Sequence, residues 1–61
     1  MKYWVAMDRL DTENVFIYKE KPIRNEKDGY WEGESLGALS QTNFGLNLTW
    51  ESEPVEIEIN T

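Results

Sequence analysis

The chain has 61 residues, a length that allows one small domain with a single core. It contains no Cys and no His, which excludes disulfides, thiolate metal sites and thiol nucleophiles and removes the commonest general base. The net charge of −6 is uneven: residues 1–27 carry six basic and five acidic side chains, whereas residues 28–61 carry seven acidic side chains and no basic one. Because an acidic half repels phosphate, we expect no direct binding to nucleic acid, and attraction to a basic partner is permitted.

Two segments rich in β-forming residues predict strands over residues 2–7 and 14–19, joined as a hairpin by the polar loop 8–13. Neither strand alternates cleanly, since apolar side chains point to both of its faces. Both faces therefore need cover, which can come from the rest of this chain on one side and from a loop or another molecule on the other.

The predicted elements in the middle of the chain are shorter. A third strand is predicted over residues 29–33, and the segment Gly33 to Gly37 is predicted to be a loop. Ser40 is a suitable N-cap for at most one short helical turn near 40–44, which Gly45 would end in the left-handed conformation.

In the last third of the chain, apolar and polar residues alternate with period two. Residues 46–50 and 55–60 are each predicted to be half-buried strands, paired as a second hairpin, with Glu56 and Glu58 on the outer face. The sum predicts a single mainly β domain over residues 1–61. We expect a small antiparallel sheet or a partly open barrel of four or five short strands.

Three patterns resemble catalytic or metal-binding motifs. The segment Gly33 to Gly37 matches G-x-S-x-G around Ser35, but the serine has no His to activate it and the chain is too short for a hydrolase sheet. Glu56 and Glu58 have the spacing of paired carboxylates on a flat strand that supplies no cleft. The acidic loop 8–13 lacks the EF-hand order of ligands. We therefore predict no catalytic residue, no metal site, no cofactor and no enzymatic activity.

Aromatic side chains are numerous for a chain of this length and are expected to supply most of the core. Trp4 and Trp50 are predicted to be buried, whereas Trp31 lies beside a predicted turn and is expected to be partly exposed. An exposed Trp is a candidate anchor for a protein partner. The candidate partner-binding residues are Tyr30, Trp31, Glu56 and Glu58.

Three stretches of the chain together resemble small uncharacterised proteins of phages, prophages and other mobile elements of gut bacteria. They are residues 20–24 (EKPIR), 29–33 (GYWEG) and 48–59 (LTWESEPVEIEI). The resemblance implies a bacterial cytoplasmic setting and an accessory role, and it assigns no role to any residue. The apolar run from Tyr3 to Met7 is too short for a signal peptide or a membrane span, so we expect a cytoplasmic protein with no membrane partner.

These observations favour a non-enzymatic protein-interaction module that binds an unknown protein partner or a second copy of itself as a homodimer. One alternative is an acidic mimic of nucleic acid that inhibits a basic protein. The other is a module that binds a small ligand or a carbohydrate through exposed aromatic side chains.

Overall fold

The computed structural model describes residues 1–59, apart from the side chain of Phe44, and contains two antiparallel β-sheets. Four strands form the larger sheet in the order β5-β2-β1-β6, and β3 pairs with β4 in the smaller one. The mainly β, antiparallel fold predicted from the sequence is confirmed, and the described strands do not close into a barrel. The elements are β1 (Lys2–Ala6), β2 (Asn14–Tyr18), β3 (Ile23–Asn25), β4 (Tyr30–Glu32), β5 (Ser35–Ser40), a 3₁₀ helix (Thr42–Phe44) and β6 (Val55–Glu58).

The segments with the strongest β-forming character fold as predicted. β1, β2, β4 and β6 lie within the predicted strands, although residue 60 of the last one is outside the described residues. The predicted helical turn is the 3₁₀ helix, and Gly45 ends it with a φ of 65° in the left-handed region. The N-cap is Gln41 in place of Ser40, and its side chain makes no capping hydrogen bond.

The predicted strand over residues 46–50 is wrong, because that segment is irregular. Its backbone N–H groups bond to nearby groups and not to a neighbouring strand. Leu46 N–H donates to the carbonyl of Gln41, and Leu48 N–H donates to the side-chain oxygen of Gln41. The predicted second hairpin is therefore also wrong. β6 pairs instead with β1, from Lys2 opposite Glu58 to Val5 opposite Val55.

The predicted loop over residues 33–37 is wrong at its second half, since β5 begins at Ser35 and pairs with β2. The sequence reading also missed β3, which pairs with β4 across a turn closed by Gly29. Gly29 has a φ of 78°, and a Cβ built there would lie 2.6 Å from Nη2 of Arg9. The left-handed backbone favours glycine at this turn, whereas the exposed Arg9 side chain could move away from a Cβ.

Apolar side chains on both faces of β1 and β2 were predicted, and each face carries its own cluster. On one face, Val5, Met7, Val15 and Ile17 form a buried group, which we call the aliphatic cluster. The cover comes from the irregular segment 46–48, through Leu46 and Leu48, and from neighbouring strands of the same sheet. Alternation of side chains along β1 and β2 thus sends one set to each side of the sheet.

The opposite face carries Ala6, Tyr18 and Trp31, which we call the tryptophan cluster. β4 places Trp31 against this face, and Trp50 packs beside it with its ring edge-on at a centroid distance of 5.7 Å. The smaller sheet and the turn at Trp50 therefore cover the second face, so both faces of the N-terminal hairpin are covered by this chain itself.

Burial of Tyr18 predicts a loss of stability at alkaline pH. The side chain is 3% exposed, its hydroxyl donates to the carbonyl of Trp31 at 3.5 Å, and burial, with a further contribution from the charge of Asp8, raises its pKa to about 12. The unfolded chain releases the same proton near its ordinary pKa of 10, so the free energy of unfolding should fall as pH rises between these two values.

Urea unfolding of the wild type and of Tyr18→Phe at pH 9 and pH 11.5 checks this prediction. The phenylalanine variant has no phenolic proton, so its loss of stability over this range should be smaller than that of the wild type. Equal losses in the two proteins would contradict it.

Candidate interaction edge

β5 is an edge strand with an open side. It pairs with β2 on one side, and among residues 1–59 no strand pairs with its other side, which we call the free edge. An open row of backbone donors and acceptors is a template for another strand, and proteins usually block such an edge with charge or proline. The sequence of β5, SLGALS, contains neither. The opposite edge of the sheet, β6, does carry charge at Glu56 and Glu58.

The register of β5 shows which backbone groups face outward. Gln41 N–H donates to the carbonyl of Glu13 at 3.2 Å and continues the ladder in which Leu39 lies opposite Val15. In an antiparallel pair, hydrogen-bonded and non-bonded positions alternate. The N–H and C=O groups of Ala38 therefore point away from β2, to the free edge, and those of Ser40 do the same.

A β-bulge lies at the start of β5. The register shifts between Ile17, which lies opposite Gly37, and Tyr18, which lies opposite Ser35, so Leu36 is the extra residue. Its side chain is 52% exposed. The bulge leaves a large apolar side chain beside the free edge, where a partner could cover it.

Ser35, the centre of the G-x-S-x-G pattern, makes a local turn contact. Its hydroxyl donates to the carbonyl of Gly37 at 3.2 Å and accepts from the N–H of Gly37 at 3.3 Å. These contacts support the bulge geometry, which is a structural use of the serine hydroxyl.

A surface groove of about 320 Å³ adjoins the beginning of β5. Its charged side chains have both signs, and Ile23, 69% exposed, supplies an apolar surface beside them. Its lining residues are Lys19, Glu20, Lys21, Ile23, Glu32, Gly33 and Glu34. Glu34, the residue before β5, lies at one end of this lining.

The structure corrects the prediction for Trp31. This side chain is only 5% exposed, and its indole N–H donates to the carbonyl of Met7 at 2.9 Å, so it is part of the core and cannot be an exposed anchor. The reason is that β4 folds onto the sheet and does not end in solvent. Its neighbour Tyr30, which points the other way along β4, is 41% exposed.

Glu56 and Glu58 are exposed on β6, on the outer side as predicted. Glu56 Oε1 lies 3.7 Å from the ammonium group of Lys2, and Glu58 is opposite Lys2 in the register. Both carboxylates therefore lie beside a cation of this chain. They belong to the larger sheet and Tyr30 to the smaller one, so the four predicted residues do not form one site.

The acidic residues of the β1–β2 loop bond backbone amides. Asp11 Oδ1 accepts from the N–H groups of Glu13 and Asn14, each at 3.3 Å, and Asp8 Oδ1 accepts from Trp31 N–H at 3.3 Å. Burial raises the pKa of Asp8, and the Trp31 hydrogen bond opposes that shift. These carboxylates shape the loop and attach it to β4.

One signal in the sequence could have located the free edge. Residues 35–50 form a run of 16 residues without a single charge, in a chain with 18 charged side chains. β5 occupies the first part of this run. Solvent-exposed strands usually carry charge, so an uncharged run next to an acidic turn indicates a surface that is kept free of charge.

Comparisons of the chain with protein-family models, curated proteins and solved structures returned no match. Among residues 1–59, no helix has the length and apolar character needed to cross a bilayer.

Proposed function

We propose that the protein is a non-enzymatic interaction module of the bacterial cytoplasm, with an accessory role, and that it binds another polypeptide along the free edge of β5. The observation that carries this proposal is the uncharged, six-residue edge strand whose outer side is unpaired among the described residues. A polypeptide that adds a strand there gains main-chain hydrogen bonds, and its side chains can cover Leu36.

The edge of β5, and not a face of the N-terminal hairpin, is the surface that supports an interaction. The sequence favoured an interaction module because both faces of the N-terminal hairpin needed cover. In the fold, the aliphatic cluster and the tryptophan cluster are covered by this chain, so neither face supplies the binding surface. The edge of β5 is the exposed feature with the chemistry to bind a strand.

The two alternatives remain predictions. An acidic mimic would bind a basic protein through carboxylates such as Glu56 and Glu58, and that binding would weaken as salt rises. A small ligand or a carbohydrate would bind without Trp31, which is buried, and could use the exposed ring of Tyr30 or the groove beside Ile23.

Capture from a lysate of the native host, with immobilised wild type, Ala38→Lys and Asn47→Lys, tests the edge. Both positions are exposed, and each substitution changes the net charge by the same amount, so nonspecific electrostatic capture is matched. We expect Ala38→Lys to retain less than about a tenth of the partner that the other two proteins retain, because a lysine on an edge strand opposes pairing.

Mass spectrometry identifies the captured proteins, and circular dichroism confirms that the variants are folded. A partner that binds Ala38→Lys as well as the wild type would place the interaction elsewhere. Failure of the wild type to retain any protein above the background of a blank resin, a second copy of this chain included, would overturn the proposed function.

A further inference from the structure

We infer that the free edge of β5 pairs with the β5 strand of a second copy of this chain, so that two four-stranded sheets join into one eight-stranded sheet about a two-fold axis. This inference rests on the proposed function and names the partner of the same edge. An interface of this kind is isologous, since the same surface is used by both copies.

The register of the pair follows from the groups that face outward. Ala38 directs both its N–H and its C=O to the free edge, and two such residues can exchange both hydrogen bonds when they lie opposite each other. A two-fold axis through this position places Ala38 opposite its own copy. In the same register, Ser40 lies opposite Leu36 of the second copy, and Gly37 lies opposite Leu39.

This register brings no charge opposite another charge. Every residue from Ser35 to Gln41 is uncharged, and the first acidic side chain, Glu34, lies opposite Thr42 of the second copy. The rest of each chain has a net charge of −6, and pairing along the uncharged run places none of that charge directly across the new interface.

Side-chain sizes at the edge also suit self-pairing. Ala38 is exposed, and a Cβ placed at Gly37 would meet no atom within 4 Å, so the centre of the strand carries small residues with an uncovered sheet face. Leu36, which is 52% exposed, lies on the flank of this centre and is covered by the second copy. A strand of small residues flanked by leucines is therefore complementary to itself in the antiparallel direction.

Light scattering on the purified protein tests the inference without any other partner. The monomer has a mass of 7.2 kDa, and we expect a concentration-dependent rise toward twice that value. Ala38→Lys places two lysines opposite each other and should raise the dissociation constant about tenfold or more. Asn47→Lys makes the same change in net charge outside β5 and should leave the dimer intact.

The salt dependence of dimerisation is an independent test of the inference. Two copies of charge −6 repel each other, so screening should tighten the dimer as the salt concentration rises, whereas binding to a basic partner would weaken. A dimer that dissociates at high salt would contradict the inferred uncharged interface.

Single-cysteine variants test the register itself, because the chain has no Cys of its own. Residues that face each other in a hydrogen-bonded antiparallel pair have Cα atoms about 5.5 Å apart, within the range that a disulfide can bridge. Ala38→Cys should form a covalent dimer on mild oxidation, and Asn47→Cys should remain largely monomeric. If Ala38→Lys fails to fold, this pair and a synthetic chain methylated on the Ala38 amide nitrogen provide the same test.

The outcomes separate this inference from the proposed function. A wild type that stays monomeric at every concentration overturns the second copy as the partner, and so does a dimer that survives Ala38→Lys unchanged. Edge-dependent capture of a different protein by a monomeric wild type would leave the proposed function in place. A dimer that requires Ala38, with no other protein captured, would support both through self-association.

Discussion

Replacing Trp31 by alanine should lower the free energy of unfolding by about 3–5 kcal/mol. The side chain is 5% exposed and lies in the tryptophan cluster, where its indole N–H bonds the carbonyl of Met7 at 2.9 Å. Truncation of a buried Trp costs about 3–5 kcal/mol, which consumes much or all of the roughly 3–9 kcal/mol expected for 61 residues. The urea midpoint of Trp31→Ala, followed by far-UV circular dichroism, should therefore lie far below that of the wild type.

Two further variants separate packing from hydrogen bonding at this position. Trp31→Phe keeps an aromatic ring but leaves the carbonyl of Met7 without its donor, at a cost of about 1–3 kcal/mol. Tyr30→Ala truncates the neighbouring side chain, which is 41% exposed, and should cost less than about 1 kcal/mol. Equal urea midpoints for Trp31→Ala and Tyr30→Ala would show that Trp31 does not hold the smaller sheet to the larger one.

Arg24→Lys should destabilise the fold by about 1.5–3 kcal/mol. The Arg24 guanidinium carbon lies 4.8 Å from the ring centroid of Trp31 and 5.3 Å from that of Trp50. One of its terminal nitrogens donates to the carbonyls of Trp50 and Ser52, each at 3.2 Å. A planar guanidinium can stack on aromatic rings and bond two carbonyls together, whereas a lysine ammonium is a point charge that cannot reproduce both contacts.

Arg9→Lys is the matched control for this prediction. Arg9 lies 5.7 Å from the centroid of the same Trp50 ring but is exposed, so its replacement should change the free energy of unfolding by less than about 0.5 kcal/mol. Urea unfolding followed by tryptophan fluorescence measures both variants, because the cations contact the reporting rings. If the two variants lost the same stability, the carbonyl bonds of Arg24 would have no special importance.

The sequence predicted those parts of the fold in which local preference and burial agree. β1 and β2 are rich in β-branched and aromatic residues that are buried or half-buried, so their type and position followed from composition. The alternation in residues 46–50 led to the wrong prediction of a strand. Leu46 and Leu48 do point into the aliphatic cluster, but they do so from an irregular backbone. A period-two pattern indicates which side chains are buried, but it does not by itself show that the segment is hydrogen-bonded as a strand.

The candidate site was less accessible to prediction, for two physical reasons. The glycine and the two serines of β5 favour loops by local preference, and the strand forms because it can pair with β2, which is a long-range contact. The burial of Trp31 has the same origin, since it depends on β3, a short strand whose pairing with β4 has no clear local pattern. Only the pairing of distant segments distinguishes an exposed aromatic from a core one here.

The pairing of β1 with β6 limits how fast this sheet can fold. The hairpin of β1 and β2 closes a short loop, but the partners from Lys2–Glu58 to Val5–Val55 are separated by 50 to 56 positions along the chain. Closing a long loop costs entropy before its contacts form, and proteins dominated by such contacts fold slowly for their size. Without β6 in place, β1 would be an open edge like β5, so a sheet that lacked this pairing would have two sides on which another strand could add. Pairing with β6 leaves the uncharged edge of β5 open among the described residues.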